Sequence, residues 1–363
     1  MGKHYLVIFV ISLTLTLSAC GYKDIDKRFF VVSIGVDEPK SEENKYRVLL
    51  KIAIPSADIK AGDQAFIIID QESDSISGAV RMAKSQVDKE LDFSHAKVIL
   101  LGESVAKENV KDVMDWFLRR RDIQKISWVG IGKPSVKEVL QLKPKSERLP
   151  SNALFLSFGN SGTESAYIIS EYLFDFWKRL RERGLDPLLP IIEVNKKDDD
   201  VFTINKAALF NKEKMVLTLS PEETKILNIL LNHTNKVELS AKREDEEQFH
   251  IAIDEAKTDF DITNQDIVRV NVRMEGLIEE VLFDGNKAHL EKSKDLAEEK
   301  FKEDVLNLLK KMQKEQLDPL GLGLLYRANH ASDDEWERWQ EIYPSVEYVV
   351  DVEVVVKGTG LLK

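Results

Sequence analysis

The residue types that do chemistry are sparse in this chain. Of its 363 residues one is cysteine, Cys20, and six are histidine. The histidines are His4, His95, His233, His250, His289 and His330. No two fall at the i, i+3 or i, i+4 spacing that sets two imidazoles on one helix face. His95 opens the apolar run "HAKVILLG", where a hydrogen-bonded structural role outweighs general-base chemistry. Arg119–Arg121 offers charge for an anion, but it closes a helical pattern, where cations complement the dipole. Asp198–Asp200 lacks the spaced ligands and glycine of a calcium loop and reads as solvated linker. "VGIGKP" (129–134) has two glycines, no third, and a proline close behind, so it reads as a strand-end turn. A P-loop, a GxGxxG after a strand and a GxSxG elbow are all absent from the sequence. The sequence therefore assigns no catalytic, metal-binding or cofactor-binding residue, and the expectation is a protein that is not an enzyme.

The one thiol has a more specific setting. Lys3 is basic, Tyr5 to Leu17 is apolar but for Ser12, Thr14 and Thr16, and the small residues Ser18 and Ala19 precede Cys20. Basic, apolar, small is the order of a secretory signal. The apolar run falls short of the roughly 20 residues that span a bilayer. Leu17-Ser18-Ala19-Cys20 resembles a bacterial lipobox, in which the thiol takes a thioether-linked diacylglycerol and the chain is cut before the cysteine. The expectation is cleavage after Ala19 and lipidation of Cys20. A single acyl chain anchors marginally and two hold firmly, at about 0.8 kcal/mol per buried methylene. The rival reading is an ordinary signal peptide in which Cys20 is incidental.

Composition bounds what such a tether would carry. An apolar content of 43% allows a packed core, and a charged content of 32% gives a well-solvated surface. The net charge of −11 argues against nucleic acid, which needs a basic footprint, and against adhesion to anionic lipid. Length points to two or three domains.

The elements follow from periodicity. "FFVVSIGVD" (29–37), "YRVLLKIAI" (46–54), "AFIIID" (65–70), "HAKVILLG" (95–102) and "ISWVGIG" (126–132) read as strands. Helices are expected from Ser75, over 109–120 and over 135–142. A capping box at Ser161 and Glu164 predicts a long helix through Arg183, stopped by Gly184, with Tyr167, Ile169, Leu173, Phe176 and Leu180 facing inward. Two prolines and a charge run over 185–200 mark a candidate boundary. Beyond it come a hairpin turning at Asn211–Glu213 and a helix capped by Ser220, Pro221 and Glu223. Strands at 236–242, 248–254 and 267–276 follow, then a long helix over 289–317 and a closing strand "VEYVVDVEVVV" (346–356). The expected organisation is a signal peptide (1–19), a lipidated stalk (20–28), an N-terminal α/β region (29–195) divisible into two subdomains, and a C-terminal α+β domain (196–363). The fold class is α+β and multidomain, two to three mixed α/β and α+β domains whose antiparallel or mixed sheets are flanked by helices.

Trp336, Trp339 and Tyr343 recur at i, i+3 and i+7 in "DEWERWQEIYP". Such a stripe most simply packs a terminal helix on the last strand. The competing reading makes the three a partner-docking surface, since such aromatics anchor interfaces.

These pieces together resemble a known family. "GYKDIDKRFFVVSIGVD" after the lipobox, "HAKVILLGE", "WVGIGKPSVKEVL", "KAALFNKEKMVLTLSPEETKILNILL", "DPLGLGLLYR" and "WERWQEIYPSVEYVVDVEVVVKGTG" are similar to the Ger(x)C family, the lipoprotein C subunits of spore nutrient-germinant receptors. Asp318-Pro319-Leu320-Gly321-Leu322-Gly323 is the most specific stretch. The chain departs in having Gly21-Tyr22 where the family usually has Trp after the lipid cysteine, and Leu322 where it often has Phe. The resemblance implies a three-domain lipoprotein on the outer face of the cell or spore inner membrane. Its partners would be two membrane-embedded receptor subunits, one permease-like, and membrane lipid reached through acylated Cys20. It brings over no catalytic residue and no cofactor. A solute-binding lipoprotein feeding a transporter is the alternative, and would show two similar lobes around a cleft.

Overall fold

The computed structural model describes residues 2–5, 25–54, 65–147, 151–159, 165–194, 201–234, 236–242, 248–263, 266–281, 287–330 and 334–358. The first sheet begins with β1 (Arg28–Asp37), β2 (Tyr46–Ala53) and β3 (Phe66–Ser73), which pair antiparallel in the order β3-β2-β1. Helix α1 (Ile76–Lys84) starts at Ser75, whose hydroxyl accepts from the Gly78 N–H. Then come β4 (Glu90–Asp92), β5 (Val98–Gly102), α2 (Glu103–Glu108), α3 (Val110–Arg119), β6 (Trp128–Lys133), α4 (Val136–Gln141), α5 (Asn152–Phe158), α6 (Leu173–Arg181) and β7 (Leu188–Val194). β5, β6 and β7 extend the sheet from β1 in parallel, and β4 pairs with β1 beside them.

Alternation along the strands splits the core into two layers. Ile99 and Leu101 face a cluster built with α1, α2, α3 and α6; Val98 and Leu100 face a second one built with α4 and α5. The sheet also runs past the boundary expected near residue 196. β8 (Phe202–Phe210) and β9 (Met215–Thr218) form a hairpin that pairs with β7 and completes the nine-stranded sheet. Asn211 makes its turn, its carboxamide oxygen accepting from the Glu213 and Lys214 N–H groups.

The second sheet is smaller. Helix α7 (Pro221–Leu230) opens with the expected capping box between Ser220 and Glu223. β10 (Val237–Lys242), β11 (Gln248–Ile262) and β12 (Ile267–Val281) follow in antiparallel order. Helices α8 (Lys287–Lys314), α9 (Leu322–Asn329) and α10 (Glu335–Ile342) lead to β13 (Glu347–Gly358), which returns parallel to β12. A parallel return needs a crossover, and the three helices supply it. Val346, Tyr348, Val350 and Val354 are buried against Phe301, Val305 and Leu308 of α8, whereas Glu347, Asp351 and Glu353 are exposed. Leu188, Ala207 and Leu209 of the first sheet belong to this same core, so the two sheets share apolar contacts.

One expected element is not formed. The long helix predicted from Ser161 begins only at Leu173; Ser161 and Glu164 themselves lie outside the described residues. The backbone of 166–172 is engaged elsewhere. Asn228 Nδ2 donates to the Ala166 and Ile168 carbonyls, Val129 N–H donates to the Glu171 carbonyl, and Tyr172 bridges to Trp128. Tertiary hydrogen bonds take the groups a helix would have used. Ile169, Leu173, Phe176 and Leu180 are nonetheless buried, as their apolar character required.

Candidate functional site

The densest chemistry in the structure lies where α6 and the turn after it meet the "DPLGLG" segment. Gly184 holds φ +77 and Gly321 φ +80, both in the left-handed region that favours glycine. A Cβ on Gly184 would stand 2.5 Å from the Gly323 carbonyl carbon and 2.6 Å from the Leu324 nitrogen. The two backbones are therefore in direct contact, and Leu324 N–H donates to the Gly184 carbonyl at 3.0 Å.

Asp318 organises the turn. Its Oδ1 accepts from the N–H groups of Gly321 and Leu322, each at 2.9 Å, and its Oδ2 from Gly323 at 2.7 Å. These are orphan donors at the start of α9, satisfied by one carboxyl. Asp186 pairs with Asp318 twice: its N–H donates to the Asp318 carbonyl, and its Oδ2 accepts from the Asp318 N–H, both at 2.7 Å. Arg179 Nη1 donates to the Asp186 and Pro319 carbonyls at 3.1 and 2.9 Å, and its Nε pairs with Glu171 Oε1 at 3.1 Å. Lys212, in the β8–β9 turn, donates to the Arg179 and Leu185 carbonyls at 2.6 Å and pairs with Asp186 Oδ1 at 3.2 Å. From the far side the Tyr343 hydroxyl donates to the Leu317 carbonyl at 2.6 Å.

The junction sets three carboxyls, Glu171, Asp186 and Asp318, against two cations, Arg179 and Lys212. Burial pushes Asp318 up to about 7, with Asp186 adding to the rise and the three backbone donors opposing it. Burial likewise lifts Glu171 to about 7 against the pull of Arg179. Burial lowers Lys212, partly offset by Asp186. Burial thus disfavours the charged forms of both acids and of the base at the junction.

The residues singled out in the sequence fare differently. Cys20, Ala19 and Asp198–Asp200 lie outside the described residues. Trp339 is 2% exposed and Tyr343 6%, and Trp336 is half-buried against the same core. Of the two readings of this stripe the structure shows core packing, the simpler one, in place of a docking surface: Trp339 lies on Tyr326, on Tyr343 and on the turn at Gly323. His95 is exposed with its ring edge-on to Phe30. Arg119 and Arg120 pair with Asp115 and Asp122 beside the end of α3. "VGIGKP" is the end of β6 and the turn into α4. Among the described residues no group of three or more His, Cys, Asp or Glu could hold a metal ion, and no helix is long and apolar enough to cross a membrane. Glu171, Arg179, Asp186 and Lys212 carried no signal in the sequence. Gly184 was visible as a helix stop, and Asp318 through the family-like segment.

Comparison with known proteins covers both parts of the chain. A family model described as "Spore germination protein N-terminal domain" matches residues 21–194. A second, "Spore germination B3/ GerAC like, C-terminal", matches residues 205–360. Spore germination protein B3 of Bacillus subtilis (strain 168) is 23% identical, covering 97% of both chains. Spore germination protein KC of the same strain is 22% identical, covering 99% of this chain and 96% of its own. The crystal structure of the GerBC protein superposes with a TM-score of 0.56 at 18% identity, over 90% of this chain and 98% of that one, and so shares its fold. Matched in both halves by models of one family and along nearly its whole length by relatives, the chain belongs to the Ger(x)C family of spore germination proteins.

Proposed function

We propose that this chain is the non-enzymatic C subunit of a spore germinant receptor, held by acylated Cys20 on the outer face of the spore inner membrane beside two membrane-embedded subunits, one of them permease-like. The observation that carries the reading is the match of both family models, in order, across the chain. The chemistry of the junction supports a mechanical role. Its charged groups are consumed by backbone and by each other, and they tie the first sheet's α6 and β8–β9 turn to the α8–α9 connection. Arranged so, they would make the two family regions move as one body and relay assembly or nutrient signals between partners. The solute-binding alternative fits less well. It calls for two like lobes, whereas a nine-stranded mixed sheet here meets a four-stranded one of different order.

The test is affinity purification of the tagged chain from spore inner membranes, wild type and Cys20→Ala. The proposal expects wild type to bring down both membrane subunits and to carry lipid on Cys20, and the variant to leave the membrane fraction. An unmodified Cys20, or recovery with a transporter ATPase and permease, would contradict it.

A further inference from the structure

β10 ends the second sheet's strand order, so one of its edges faces away from β11. Such an edge is a template for another strand unless something covers it. Two cavities flank it, and both are lined by Lys225 of α7. The first, about 550 Å³, lies on the core side of the sheet between β10, α7 and α8. Its floor is Ile226, Leu239, Ala297, Phe301 and Leu308, all buried. Its rim is internally neutralised, Lys311 pairing with Glu223 at 2.7 Å and Lys300 with Asp304 at 2.6 Å. The second, about 450 Å³, opens on the sheet's outer side between β10–β11 and residues 165–167. Asp254, Glu279 and Glu238 line it and are exposed, and Glu238 is paired with His250 Nδ1. Its two bases are Lys225, already paired with Glu222, and Lys236. One side of the edge is therefore apolar with a neutral rim, and the other is net acidic.

A strand points alternate side chains to opposite faces. We propose that β10 is a docking edge for an extended segment of a partner protein with alternating apolar and basic side chains. Its backbone would add to the Val237–Lys242 edge. Its apolar residues would enter the cavity over Leu239 and Phe301, and its basic residues would face Asp254 and Glu279. This is strand addition, in which main-chain hydrogen bonds hold the peptide and alternate pockets select it. The occupant follows from charge complementarity: an acidic outer face rejects an acidic strand, and a neutral apolar floor rejects a strand charged on both faces.

The full-length chain is titrated with three labelled hexapeptides, matching the six residues of β10. One alternates valine and lysine, one alternates valine and glutamate, and one replaces the valines of the first with proline. Anisotropy reports binding, and hydrogen exchange reports protection of the Val237–Lys242 amides. The expected result is saturable binding of the valine–lysine peptide with protection confined to β10, and binding weaker by about tenfold or more for the other two. Asp254→Lys with Glu279→Lys, both at exposed positions, should leave the melting midpoint unchanged and reverse the lysine–glutamate preference. Equal binding of all three peptides, no binding of any, or an unaltered preference in the double variant overturns the proposal. Concentration-dependent protection of β10 without peptide also overturns it, since a second copy would then be the occupant.

Discussion

Replacing Asp318 probes the junction most sharply. Asp318→Ala strands the buried N–H groups of Leu322 and Gly323 and the half-buried N–H of Gly321. A buried donor left unpaired costs about 1–3 kcal/mol, so three would cost roughly 3–6 kcal/mol after partial relaxation. Asp318→Asn keeps one acceptor oxygen and should cost about 1–2 kcal/mol near neutral pH. The two variants also separate hydrogen bonding from charge. The Asp318 carboxyl rises from 3.8 to about 7 on folding. Between those values the folded chain holds a proton that the unfolded chain has released. Stability from this group is therefore full below about pH 4 and is lost as pH rises through about 7. Asparagine does not titrate, so the cost of Asp318→Asn relative to wild type should shrink by roughly 2–3 kcal/mol between pH 5 and 7. Urea denaturation of the purified chain at the two pH values reads this as a difference of differences, which cancels the other carboxyls. An Asp318→Ala variant with the wild-type midpoint, or an Asp318→Asn penalty that does not change with pH, would refute the reasoning.

Three further outcomes are expected. Gly184→Ala should lower stability by about 2–4 kcal/mol in thermal melts, because the left-handed φ and the Gly323 backbone leave no place for a Cβ. Val354→Asp puts a carboxylate into the core under α8 and should cost about 3 kcal/mol or more, while Glu353→Gln on the exposed face leaves the melting midpoint where it was. Trp339→Ala should destabilise by about 3–5 kcal/mol, and a variant that keeps wild-type stability while losing partner binding would restore the docking reading of that helix.

Much of the fold was legible because its signals are local. Alternation in "YRVLLKIAI" and "VEYVVDVEVVV" marked strands, and Ser75 and Ser220 marked helix starts that the hydroxyls do cap. The failures came where distant groups decide. Residues 165–172 carry helical periodicity, but Asn228, Val129 and Trp128 claim their backbone, and none of these is near in sequence. The Trp339 stripe was ambiguous for a related reason: an aromatic face looks the same whether it meets a core or a partner. The continuation of the first sheet into β8 was hidden by the prolines and charges before it, which read as a boundary. The junction was the least legible part. Glu171, Arg179, Asp186 and Lys212 look like ordinary surface charges in the sequence, and only the close approach of Gly184 and Gly323 brings them together.

The central claim is that this chain works in germinant sensing, and spores test it directly. A strain of the source bacterium lacking the gene is compared with the same strain carrying it back, with germination followed as loss of spore absorbance after nutrient addition. The account predicts that the deletion abolishes the response to at least one nutrient while the spores remain viable, and that the wild-type copy restores it. Deletion spores that answer every nutrient at the wild-type rate would contradict it.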